Sequence, residues 1–195
     1  MATPFSHAIV AIATGSALKA PARTRVWAAA LSVLPDIDVV WLPLTSDSSF
    51  FGHRMFTHSL MFAGLISVLA VRLIGALGQD SGFKHLGLYL FLAIASHGFL
   101  DGFTDAGVGV GLFVPFSYAR YFFPFRPLHI VVMPPRTPFR LDAFQFTSSE
   151  LLWLWLPSIL FMLVMRYAQS KAPSLQTRML RRSFRLAHPD QRGGS

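Results

Sequence analysis

Five apolar runs constrain this chain more than any other feature: residues 5–18, 26–44, about 58–77, 85–103 and 151–168. A helix needs about 20 apolar residues to cross the hydrocarbon core of a bilayer. The last three runs approach that length, the first is marginal, and the second is broken by Pro35-Asp36-Ile37-Asp38. Charge is too scarce for an ordinary water-soluble surface. Only 13% of the residues are Asp, Glu, Lys or Arg, where soluble domains carry about 25%. The expected fold class is therefore an all-α membrane protein, a bundle of about five transmembrane or re-entrant helices.

The interruption of the second run points to a purpose beyond anchoring. A proline inside a helix costs about 3 kcal/mol, and each carboxylate at membrane depth a further few kcal/mol. The first run is not a signal peptide by pattern, because Lys19, Arg23 and Arg25 follow it instead of preceding it. Between the fourth and fifth runs lies a long Phe/Pro-rich segment, 104–149, whose prolines forbid a continuous helix. Short turns along the membrane interface are expected there. The tail, 169–195, places Leu175, Met179, Leu180 and Phe184 opposite Arg178, Arg181, Arg182 and Arg185. This is the pattern of a helix on anionic headgroups, and nucleic acid is not the expected partner. The chain thus divides into a helical membrane domain, 1–168, and a basic membrane-surface tail, 169–195.

Five alternating spans put twelve of the 17 lysines and arginines on the side of the tail. The other side holds only Arg54, Arg120, Arg126, Arg136 and Arg140. The excess predicts a multi-pass protein with a cytoplasmic C-terminus. Whatever the orientation, alternation brings His7, Asp36, Asp38, His53, His58, His97, Asp101 and Glu150 to one end, the outer one in this arrangement.

These residue types suit a cation. With no cysteine in the chain, any metal is held by nitrogen and oxygen. His97 and Asp101 lie one helical turn apart and share a face, so one helix can present both to one ion. Asp36 and Asp38 at the proline break can both turn inward, and His53 and His58 stand at the mouth of the third run. The predicted metal ligands are His7, Asp36, Asp38, His53, His58, His97 and Asp101. Mixed His/carboxylate ligation favours zinc, one or two ions, with manganese or iron also compatible. Thr57, Ser59, Thr104 and Asp105 are candidates to orient these ligands; Thr57 or Ser59 also suits a helix cap, and Thr104 and Asp105 also read as a helix end. Glu150 reads either as a helix-start carboxylate or as a further ligand or acid/base. His7 taken alone also fits an interfacial histidine, and His85, His129 and His188 fall outside the cluster.

Several motifs resemble those of the bacterial inner-membrane predicted metal-dependent hydrolase family. They are Thr3-Pro4 with His7, Leu34-Pro35-Asp36-Ile37-Asp38, His53-Arg54 with Thr57-His58-Ser59, and His97 with Leu100-Asp101 and Thr104. Pro115-Phe116-Ser117, Arg120-Tyr121-Phe122 and Glu150 ahead of Trp153 complete the series, which covers about residues 1–168 in the family's order. The resemblance implies a helical bacterial inner-membrane protein with a metal centre near one face, and hydrolysis with metal-activated water as nucleophile. In residue type the pattern is also remotely similar to zinc-dependent phospholipase C, which implies a lipid or phosphoester substrate. Asp36, His58 and Glu150 are then the expected catalytic groups, and Arg54, Arg120 and Arg126 the substrate-binding cations. The alternative is a metal-ion or proton transporter, since transport paths also use intramembrane Asp and His. Clustering of the polar residues at one end favours the hydrolase.

Overall fold

The structure, a computed structural model, describes residues 2–46, 49–79, 82–105, 107–129 and 147–171. Among them the chain is all-helical, without a β-strand. The helices are α1 (Pro4–Ala17), α2 (Ala22–Ser32), α3 (Leu60–Ala76), α4 (Leu86–Gly102) and α5 (Ser148–Lys171).

Local chemistry sets the ends of these helices. Pro4 occupies the first turn of α1, where its missing N–H costs nothing. The Ser59 hydroxyl caps α3 by accepting from Phe62 N–H at 3.1 Å, and Thr147 caps α5 through Glu150 N–H at 3.2 Å. α2 stops at Ser32, and the chain continues through Leu34–Val40 as a 3₁₀ helix. The expected second span, 26–44, is thus an 11-residue helix that begins earlier and ends at the Pro35 break. Pro35 cannot donate the bond an α-helix requires there. The other four helices lie within a few residues of the apolar runs.

Among the described residues only α5, with 24 residues, is both long and apolar enough to cross a membrane. At 1.5 Å per residue it spans about 36 Å, whereas α3 and α4 reach about 25 Å, α1 about 21 Å and α2 about 16 Å. The outward faces are nonetheless apolar. Leu65, Val68, Leu69 and Leu73 line the exposed side of α3, and Leu152, Leu156, Leu160, Leu163 and Val164 that of α5.

The core is built from small residues that let helices approach closely. Ala11, Ala28 and Ala93 are buried around Tyr89 and Leu90, and the Tyr89 hydroxyl donates to the Ala11 carbonyl at 2.8 Å. A Cβ on Gly15 would collide with that hydroxyl. α1 and α5 run side by side in the same direction. Glu150 meets Thr3 and Ser6 at one end, and Gln169 Nε2 donates to the Ser16 carbonyl at the other. Residues 107–129 form turns without a helix, tied to the end of α4 by the isolated bridge Thr104–Leu128 and closed on themselves by the bridge Val110–Tyr121. Loop residues 130–146, with Arg136 and Arg140, and tail residues 172–195 lie outside the described residues.

Candidate metal centre

Four elements converge at one end of the bundle. Leu34–Val40 carries Asp36 and Asp38, the turn Phe56–His58 carries His58, and the last turns of α4 carry His97 and Asp101. His7 comes from the second turn of α1. α4 can press against the turn because position 98 is glycine, where a Cβ would collide with the carbonyl oxygen of His58.

Asp36, His58, His97 and Asp101 each offer one ligand atom, and these atoms lie within 4.8 Å of one another. Hydrogen bonds on the far side of each imidazole decide which nitrogen faces the group. His97 Nδ1 lies 2.7 Å from the Ser32 carbonyl, which only accepts, so Nδ1 holds the proton. In the neutral ring His97 Nε2 then presents its lone pair to Asp36 Oδ1 at 3.2 Å. The Thr57 hydroxyl donates to Asp38 Oδ2 at 3.1 Å and so accepts from His58 Nδ1 at 3.0 Å. His58 Nε2 is left between Asp36 Oδ1 at 3.6 Å and Asp101 Oδ2 at 3.5 Å. Two imidazole lone pairs thus point at carboxylate oxygens, an arrangement that repels itself unless a proton or a cation stands between them.

Charge balance points the same way. Asp38 and Asp101 are buried at 1% and 0%, and the Asp36 side chain is 10% exposed, while Arg54 is the only permanently cationic side chain among them. Its Nε lies 3.0 Å from Asp101 Oδ2. Buried carboxylates without compensation are costly, so the site calls for positive charge. Burial opposes charging the His58 ring, but the carboxylates of Asp101 and Asp36 beside it outweigh burial and raise its pKa to about 9. His58 Nε2, Asp36 Oδ2 and both Asp101 oxygens have no hydrogen-bond partner. These are the donors an ion would use. Two imidazoles and two carboxylates make a set suited to zinc, manganese or iron.

The remaining sequence-predicted residues fall around this group. His7 is fully buried, its ring stacked on His97 with centroids 3.7 Å apart. Its Nε2 lies 3.9 Å from Asp101 Oδ1, and neither ring nitrogen has a hydrogen-bond partner. Asp38 is occupied otherwise than as a donor within the group of four. It accepts from Arg54 N–H at 3.1 Å and the Thr57 hydroxyl, and lies 2.9 Å from His53 Nδ1. It therefore orients His58 through Thr57, and His53 stands one shell out. Ser59 acts as the α3 cap. Thr104 accepts from Arg54 Nη1 at 3.2 Å and donates to the Asp101 carbonyl.

Arg54 is buried at 1% with a backbone φ of 61°, a conformation that costs a non-glycine residue about 1–3 kcal/mol. Two backbone bonds hold it there: Arg54 N–H to Asp38, and Gly111 N–H to the Arg54 carbonyl. Nη1 also donates to the Val108 carbonyl, while Nη2 has no partner. Arg120 donates to the carbonyls of His53 and Gly109 and so fastens the loop to the site. Arg126 is exposed, 5.0 Å from the Phe122 ring centroid. Asp105 pairs with His129 at 2.6 Å, a histidine outside the cluster. Glu150 accepts from Thr3 N–H at 2.7 Å, the Thr3 hydroxyl at 3.0 Å and the Ser6 hydroxyl at 3.2 Å. Its carboxylate ties α5 to the start of α1 and is not among the four donors.

Ser32 and Gly98 were not among the sequence candidates. A backbone carbonyl such as that of Ser32 leaves no residue-type signal. Gly98 does leave one, a glycine inside a helix beside a candidate ligand, His97.

A family model described as "YdjM inner membrane protein" matches residues 1–172. The inner membrane protein YbcI of Escherichia coli K12 is 35% identical over 172 residues, covering 83% of this chain and 95% of that relative. No solved structure matches.

Proposed function

Because the chain belongs to the YdjM inner membrane protein family, and so is an inner-membrane protein, we propose that its His/Asp cluster is the metal centre of a membrane-embedded hydrolase acting on a lipid phosphoester. The observation that carries this reading is the set of buried, unpartnered donor atoms on His58, Asp36 and Asp101, with Nε2 of His97 and of His58 turned toward carboxylates.

A divalent cation held by Asp36, His58, His97 and Asp101, zinc foremost, supplies Lewis acidity and lowers the pKa of water at neutral pH. The chain's own residues do the rest. Asp36 is the member of the four whose side chain is partly exposed, at 10%, so the oxygen it does not give to the ion takes a proton from entering water. Arg54, held by Asp101, Thr104 and Val108, keeps an unpartnered Nη2 that pairs with an anionic oxygen such as a phosphoester presents. Asp38 and Thr57 hold the His58 tautomer that keeps Nε2 directed at the site. In this reading α3, α4 and α5 lie in the membrane. The basic tail is cytoplasmic, and the cluster lies toward the outer face, among the lipids that supply substrate.

The test is metal analysis of the full-length protein purified in detergent, combined with headgroup release from phospholipid vesicles. The expected result is stoichiometric transition metal and headgroup release, both lost in His97→Ala and Asp101→Ala. Absence of bound transition metal, or release that persists in both variants, overturns the proposal.

A further inference from the structure

The last turn of α4 has two faces. Asp101 and Thr104 are fully buried on the side of the cluster, whereas Leu100 and Phe103 turn the other way and line a partly open cavity of about 230 Å³. Trp153 and Leu154 of α5 form its second wall. Phe125, Pro127 and Leu128 of the loop form the third, and the lining is apolar throughout. The loop wall is held in place by backbone: Leu128 N–H donates to the Phe103 carbonyl at 3.3 Å, and Asp105 N–H to the Leu128 carbonyl at 3.0 Å. Asp101 and its chain neighbour Leu100 thus belong one to the cluster and the other to the cavity.

Two features identify an occupant. The first is continuity with the lipid-facing surface. Trp153 is 47% exposed and pairs edge-to-face with Phe125 at the cavity mouth, with centroids 5.4 Å apart. Leu151, Leu152 and Leu156 extend the same apolar surface along α5. Tryptophan at such a mouth suits the headgroup boundary. The second is charge at the rim. Arg126 stands in sequence between the lining residues Phe125 and Pro127, is exposed, and has no carboxylate partner among the described residues.

We propose that this cavity receives the acyl chain of a membrane phospholipid, with Arg126 pairing with the lipid phosphate at the rim. The apolar volume next to an exposed cation matches an amphiphile with an anionic head and hydrocarbon tail. This names the substrate's tail and rests on the hydrolase reading for the path of the head toward Asp36 and Arg54. Occupancy itself is a binding event that needs no turnover.

The experiment is photo-crosslinking of the full-length protein in vesicles of phosphatidylethanolamine and phosphatidylglycerol, doped with phosphatidylglycerol carrying a diazirine on its acyl chain. Crosslinked peptides are mapped by mass spectrometry. The expected result is labelling of Leu100, Phe103, Leu128 and Leu154 above that of Leu65 and Leu69 on the exposed face of α3. Arg126→Gln, a surface change that leaves the fold intact, reduces cavity labelling at least threefold without altering the α3 label. Equal labelling of both faces, or cavity labelling indifferent to Arg126→Gln, overturns the proposal. His97→Ala separates the two readings: it is expected to lose metal and hydrolysis while keeping the cavity label. A labelled cavity in a protein that releases no headgroup overturns the hydrolase alone, and an unlabelled cavity in an active enzyme overturns the acyl site alone.

Discussion

Replacing Gly98 by alanine sets two effects of opposite sign against each other. Inside a helix, alanine is favoured over glycine by about 1 kcal/mol, so propensity alone predicts a more stable protein. At this position, however, the added Cβ collides with the His58 carbonyl oxygen and meets Leu112 at 3.2 Å. The oxygen belongs to the backbone of the turn and cannot rotate aside. Relieving the overlap requires α4 to retreat by about 1 Å, given ordinary carbon contacts of roughly 3.5 Å. His97 and Asp101 move with α4, while His58 and Asp36 stay. Metal–ligand distances tolerate only about 0.2 Å, so two of the four donors leave bonding range. The expected loss is at least about 100-fold in zinc affinity, roughly 2.8 kcal/mol. Competition against a chromogenic chelator in detergent reads the affinity, and thermal unfolding reads stability. Gly64→Ala and Gly75→Ala are the controls, because a Cβ at either meets no heavy atom within 4 Å. Both are expected to raise the melting temperature with zinc affinity unchanged. A Gly98→Ala protein that behaves like these controls refutes the idea that close approach of α4 to the His58 turn positions the donors.

Truncating Glu150 to alanine leaves Thr3 N–H and two hydroxyls without their acceptor, and is expected to cost about 1–3 kcal/mol of stability with zinc affinity unchanged. Thermal unfolding and chelator competition check this, and loss of zinc at unchanged stability would make Glu150 a ligand. His58 supplies a pH dependence. Its pKa is raised from 6.5 to about 9, so the stability from its charge is fully present below pH 6.5 and is lost as pH rises through 9. With a chelator present, the melting temperature is expected to fall across that window. Zinc must displace the His58 proton, so its affinity is expected to rise across the same window by up to about tenfold per pH unit. A pH-independent zinc affinity between 6.5 and 9 refutes this protonation assignment.

Much of the site could be read from residue type and spacing. His97 and Asp101 share a helix face because the helical repeat puts residues four apart together. Asp36 is exposed to the site because Pro35 ends α-helical bonding and turns the chain into a 3₁₀ segment. The helix positions followed from apolar runs, since α3, α4 and α5 match them closely. Helix length did not follow in the same way. α2 starts at Ala22, where Arg23, Thr24 and Arg25 carry no apolar signal, and it stops at Ser32, before the proline.

Other assignments depended on which atoms meet across the bundle. Asp36 and Asp38 are equivalent on paper. The structure gives Asp38 to Arg54, Thr57 and His53, and leaves an Asp36 oxygen unspent. Glu150 fits a ligand or a helix-start carboxylate equally well until Thr3 and Ser6 are seen to occupy it.

By itself, then, the sequence determined an all-helical chain of apolar segments with histidines and carboxylates near their ends, because periodicity and scarcity of charge are local properties. Only the tertiary structure decided which four donors face one point, which tautomers aim them, and which carboxylates are already satisfied. The physical reason is that hydrogen-bond partners such as the Ser32 carbonyl, and close approaches such as Gly98 on His58, join residues far apart in the chain. No spacing along the sequence encodes them.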